Sequence, residues 1–147
     1  MLEAEIGNAV RLLDLMLAFF TDEEHWTRGR YDDGHGGHCL VGALLHLSGE
    51  HRLPSALAIA LLKDAMPRPG LPLVHFNDNR CGTVAELRSV IVKARRLAHD
   101  TAERDRAAAA LKAWLLAEID KKQPATAAAH IAKPAPHELL ARDRLAA

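Results

Sequence analysis

Residues 26–43 read Trp26-Thr-Arg-Gly-Arg-Tyr-Asp-Asp-Gly-His-Gly-Gly-His-Cys-Leu-Val-Gly-Ala43. Glycines at 29, 34, 36 and 37 rule out a helix over most of this run, because each carries backbone freedom that a helix would have to remove. The run is a loop or a short hairpin. Helical spacing begins at its end: with Cys39 as the first helical residue, Leu40, Ala43, Leu44 and Leu47 share a face, and Gly49 stops it.

The flanks decide the fold class. Upstream, Leu2, Ile6, Ala9, Leu13, Met16 and Phe20 recur at helical spacing with Glu3, Glu5, Asn8 and Arg11 between them, which predicts an amphipathic first helix. Downstream, Pro54 suits the first turn of a third helix carried by Leu57, Ala60 and Leu61, and Pro67, Pro69, Gly70 and Pro72 end it. Leu71–Phe76 is the one segment that reads as a strand. Thr83-Val-Ala-Glu86 is a capping box opening a helix with the stripe Val84, Leu87, Ile91, Ala94 and Ala98. Asp100-Thr-Ala-Glu103 opens another through Leu111, Leu115 and Ile119, unless the two form one long helix bent at His99-Asp100. The expectation is an all-α fold, a small helical bundle with one long Gly/His-rich loop. Residues 1–120 make the domain. Residues 121–147 are an Ala/Pro-rich, loose C-terminal tail, in which 136–145 could form a short docking helix.

Composition bounds the function. The chain has 147 residues, 49% hydrophobic and only 4% aromatic, enough for one alanine- and leucine-rich core. Nineteen basic residues balance nineteen acidic ones, so no global field draws nucleic acid or anionic membrane. The basic segment Lys93, Arg95, Arg96, Arg104 and Arg106 is diluted by Glu86, Asp100, Glu103 and Asp105 and reads as a self-neutralising face. No membrane partner is expected either: the first apolar run is broken by Arg11 and Asp14, and the start lacks the basic region of a signal peptide. Two cysteines, Cys39 and Cys81, make no disulfide framework, which points to a cytoplasmic, reducing home.

The Trp26 segment, Asp32 or Asp33 with Gly34, the block Cys39-Leu40-Val41-Gly42-Ala43-Leu44, then Phe76-Asn77-Asp78 and the threonine-capped helix from Thr83 to Ala98, taken in that order, resemble a family of small uncharacterised bacterial and phage proteins. The resemblance covers residues 1–98, roughly the first two-thirds of the chain, and implies a domain boundary and motif residues but no activity. The loop before Cys39 is shorter and richer in histidine than that family pattern.

Three groups carry candidate chemistry. A cysteine in the first turn of a helix is stabilised as thiolate, and Cys39, His75 and Asn77 or Asp78 supply nucleophile, base and orienter types in papain-like order. Against that, His75 and Asn77 would share one strand face, and Cys39 beside Gly42 and Ala43 packs equally well as a small apolar residue at a close helix contact. His35, His38 and Cys39 with His75 or Asp78 offer zinc ligand types, but at no known spacing, so no metal is assigned. Asn77-Asp78 either faces a ligand or pins the backbone by Asx turns. Trp26 is a core lid or a stacking platform, and Arg28 and Arg30 receive an anion or are simply solvated.

The reading is a binding or accessory protein of unknown ligand and no cofactor. Its pocket would be built from Trp26, Arg30, Asp32, Asp33, His38 and Asn77, where the two irregular segments meet the start of the Cys39 helix. The alternative is a Cys-dependent hydrolase or transferase using Cys39, His75 and Asn77 or Asp78. Trp114 with Leu111, Leu115 and Ile119 is core or faces another copy in a homo-oligomer.

Overall fold

The structure is a computed structural model, and it describes residues 2–123. Helix α1 spans Leu2–Phe19, a 3-10 turn Glu23–His25, α2 Leu40–His51, α3 Ala56–Ala65, the short α4 Leu73–His75 continued by a π turn Phe76–Arg80, and α5 Val84–Lys122. All regular elements among the described residues are helical, as the periodicity predicts.

Contacts divide the chain into two units, residues 1–106 and residues from 107 onward. The first holds the core. Ile6, Ala9, Leu12, Leu13 and Met16 of α1 meet Leu40, Ala43, Leu44 and Leu47 of α2 and Ala58, Leu61 and Leu62 of α3. Leu87, Ile91, Ala94 and Ala98 of α5 close the same cluster. Arg88 donates to the carbonyls of Leu17 and Phe20, groups at the end of α1 that have no intrahelical partner. Asp14 and Arg95 add a half-exposed ion pair between α1 and α5 at 2.6 Å.

Three local expectations are corrected, and two alternatives left open by the sequence are decided. Helix α2 begins at Leu40 with Cys39 as its N-cap, and it runs through Gly49 to His51; the left-handed residue that ends it is Arg52, with φ 53°. Pro54 lies before α3 rather than inside it, with Ser55 in the capping position. Leu71–Phe76 is not a strand. A lone strand has no ladder to satisfy its backbone, whereas Pro72 C=O accepts from Phe76 N–H and Phe76 C=O from Cys81 N–H within the turn itself. Helix α5 passes His99-Asp100 unbroken, since no Gly or Pro stands between Thr83 and Gln123. Of the loop and the short hairpin that the glycines allow, the loop is the one formed, tied by two isolated bridges, Trp26 with His38 and Asp32 with His38. The expected short helix at 136–145 lies outside the described residues.

Candidate functional site

Asn77 organises the irregular half of the first unit. It sits at the start of the π turn with no exposed surface. Its Oδ1 accepts from Trp26 Nε1–H at 2.8 Å and from the Leu40 backbone N–H at 3.0 Å. Its Nδ2 donates to Thr27 C=O at 3.0 Å and to Asp78 Oδ1 at 2.7 Å. Both lone pairs and both protons are used, as burial of an amide demands. One side chain therefore joins the 26–38 loop, the first turn of α2 and the π turn.

The neighbours extend this network. Asp78 Oδ1 also accepts from Gly29 N–H at 3.0 Å. Arg28 lies over the Trp26 ring, 4.4 Å from its centre, and donates to the carbonyls of Cys81 and Gly82. Tyr31 C=O accepts from Cys39 N–H at 3.2 Å and lies so close to α2 that a Cβ at Gly42 would collide with it. Gly42 thus admits the loop backbone rather than a neighbouring helix. Cys39 is buried, and its sulfur accepts from Gly42 N–H at 3.3 Å, filling an N-cap role usually taken by an oxygen. Glu23 Oε1 likewise accepts from Val84 N–H at the start of α5, while Glu86 Oε2 accepts from Gly82 N–H and Thr83 Oγ1 from Glu86 N–H.

The loop is self-braced at its tip. Asp32 accepts from Gly34 N–H, and Asp33 from His35 N–H and Gly37 N–H. The His35 N–H bond chiefly holds the Asp33 carboxyl below its usual range, with Gly37 N–H adding to it. At the 3-10 turn, the His25 side chain lowers Asp22 in the same way. His38 directs Nδ1 at Tyr31 C=O and stacks on His46, with ring centres 4.9 Å apart. Burial pushes the Cys81 thiol up, and that thiol donates to Thr83 C=O.

A half-open cleft of about 280 Å³ lies beside this network, lined by Gly29, Arg30, Tyr31, Cys39, Val74 and Asp78. Of the residues singled out from sequence, it gathers Cys39, Arg30 and Asp78. Trp26, Asp32, Asp33, His38 and Asn77 are not among its lining; they hold the loop instead. His75 is exposed, with Nδ1 3.3 Å from Asn79 Nδ2, and it does not line the cleft. The strand that would have set His75 beside Asn77 is replaced by helical backbone, in which residues two apart point to nearly opposite sides. No hydrogen bond joins Cys39, His75 and Asp78 to one another among the described residues. Among the described residues no group of three His, Cys, Asp or Glu side chains converges as a metal would require.

Sequence reading passed over Gly29, Tyr31 and Val74. Tyr31 and Val74 are 60% and 40% exposed, as single apolar side chains often are, and their place at a cleft depends on the turn geometry. Two larger clefts lie nearby, one of about 430 Å³ with Val41, Leu44, Ile59 and Lys63 and one of about 370 Å³ with Arg68, Phe76, Arg80 and Val90. The segment 67–80 contributes a wall to all three.

The chain belongs to a family of unknown function, DUF6197, whose model matches residues 7–97. Compared with curated proteins and with solved structures, it finds no significant match. The matched span ends within α5, so it contains the whole Asn77 network and excludes the distal part of that helix.

Proposed function

We propose that this chain is a binding module whose ligand occupies the cleft between residues 29–31 and the turn at Val74–Asp78. The observation that supports this best is the saturated Asn77 amide, which joins both loops to the start of α2. A wall braced in this way is preformed, so a ligand does not have to supply the free energy of ordering it. Arg30 offers a cationic fork and Tyr31 a phenol, and Val74 adds an apolar surface. Asp78 Oδ2 takes no further hydrogen bond among the described residues. The ligand class is a small polar molecule carrying both a donor and an acceptor or anionic group.

Cys39 belongs to the cleft floor as a packed N-cap. Its sulfur is engaged by Gly42 N–H, and no histidine is hydrogen-bonded to it among the described residues. Two unpaired, buried thiols suit a reducing compartment, which is the location this reading assigns. A bacterial or phage setting remains part of the proposal, resting on the motif resemblance alone.

The test is a proton–nitrogen NMR screen of the full chain against small amino acids, amides and carboxylates, paired with site-mapped iodoacetamide labelling. Shifts clustered on Gly29, Arg30, Tyr31 and Asp78, lost in Asp78→Ala, together with Cys39 labelling far more slowly in native than in urea-unfolded protein, are expected. Rapid native labelling of Cys39 would favour the nucleophile reading. Shifts that ignore the cleft would remove the binding one.

A further inference from the structure

A cleft of about 370 Å³ in the first unit brings Arg68 and Arg80 to one place, and it shares no lining residue with the cleft at Gly29–Tyr31. Arg68 lies between Pro67 and Pro69, whose rings fix φ on either side, and Leu71 N–H closes a turn onto the Arg68 carbonyl at 3.3 Å. Arg80 ends the π turn, where Cys81 N–H donates to Phe76 C=O at 2.8 Å. Both cations therefore stand on braced backbone. Arg28 and Arg88 of the same unit spend their guanidinium groups on backbone carbonyls. Arg68 and Arg80 have no hydrogen bond or ion pair from their side chains among the described residues. The one acid at the cleft, Glu86, turns Oε2 to Gly82 N–H, and Ser89 Oγ donates to Glu86 C=O. Leu71, Phe76 and Val90 supply an apolar wall.

We infer that this cleft is a second binding site, for a small organic monocarboxylate with a compact apolar body. The carboxylate meets Arg68 and Arg80, and the body lies against Leu71, Phe76 and Val90. Two guanidinium groups at one cleft repel each other, and an anion between them removes that cost. Their planar forks match the two oxygens of a carboxylate. Glu86 sets the charge of the ligand: with two arginines and one glutamate the lining carries a single net positive charge, which suits a monoanion, whereas a phosphate dianion would meet Glu86 as a like charge. The apolar wall gives an inorganic ion nothing, so it favours an anion that brings carbon with it. The volume lies in the range of small-molecule sites. Every residue named here falls inside the span of 7–97 that the family model matches.

Proton–nitrogen NMR titration of the full chain with phenylacetate tests this, beside phenylacetamide, the same body without charge, and inorganic phosphate, charge without the body. Phenylacetate should give saturable shifts at the Arg68, Leu71, Arg80, Ser89 and Val90 amides, and the other two probes should bind about tenfold more weakly or not at all. Arg68→Gln and Arg80→Gln should each raise the phenylacetate Kd about tenfold with circular dichroism unchanged, because each removes a charge-assisted contact. The probe comparison uses the unaltered chain, so it decides the matter even where a variant unfolds. Absence of saturable shifts at millimolar phenylacetate would overturn the inference. So would equal binding of phenylacetamide or of phosphate, or a Kd unchanged in both variants. Shifts confined to Gly29–Tyr31 and Asp78 would overturn it and leave the binding reading of that other cleft standing; shifts confined to the Arg68–Arg80 cleft would do the reverse.

Discussion

Asn77 is a polar side chain with no exposed surface, while Trp114 is the largest type of apolar side chain and is 59% exposed. Each reverses the usual assignment of polarity to surface and core. At Asn77 the reversal is fully compensated, since four hydrogen bonds replace the water it loses. At Trp114 no compensation is visible among the described residues, and the cost is carried as hydrated apolar surface. The first pattern stabilises a fold from within. The second leaves free energy to be gained by association.

The largest effect that can break this contrast is Asn77→Ala. It strands the Trp26 indole N–H, the Leu40 N–H and the Thr27 carbonyl, and each buried unsatisfied group costs about 1–3 kcal/mol, so a loss of about 3 kcal/mol or more is expected in urea unfolding. A loss under about 1 kcal/mol would show that water replaces the amide and that the loop is not held as described.

Gly42→Ala tests the same assembly from its other side. The new methyl would meet Tyr31 C=O, a backbone group that moves only with the loop, and overpacking of this kind costs about 1–3 kcal/mol. Amide shifts should spread over residues 29–33 and the Cys39 N–H. Shifts confined to α2 would refute the close approach.

A smaller effect appears in acid. The Asp33 carboxyl is lowered in the folded chain, so its contribution to stability is present above the unfolded carboxylate range and is lost as pH falls below about 4. Thermal unfolding of Asp33→Asn between neutral pH and pH 3 should fall less steeply than that of the parent. Parallel curves would mean that the loop tip does not sense its N–H donors.

The smallest effect is expected for Trp114→Ala. Measured at concentrations where the chain is monomeric, its stability should change by no more than about 0.5 kcal/mol, because an exposed side chain on a helix loses little on truncation. A loss of several kcal/mol would place the indole in a core and erase the contrast with Asn77.

The helices were legible because their signals are local. The stripe of α1, the Thr83 capping box and the glycine density of the 26–38 loop each follow from spacing within a few residues. The expected meeting of two irregular segments at the start of α2 is present in the hydrogen bonds of Asn77 and Asp78. The roles of the loop residues were not legible. Asp32, Asp33 and His38 have pocket-forming chemistry, yet they spend it on neighbouring backbone groups.

The sequence by itself determined an all-α fold for the described residues and a polar loop between α1 and α2, because periodicity and turn preference depend on near neighbours. Only the tertiary structure decided that the Leu40 N–H at the start of α2 meets Asn77, thirty-seven residues away, and the Val84 N–H at the start of α5 meets Glu23, sixty-one residues away. It also decided that the segment after Pro72 coils rather than extends. Orphan amides at a helix start donate to any oxygen that the fold delivers, and which one arrives depends on how distant segments pack.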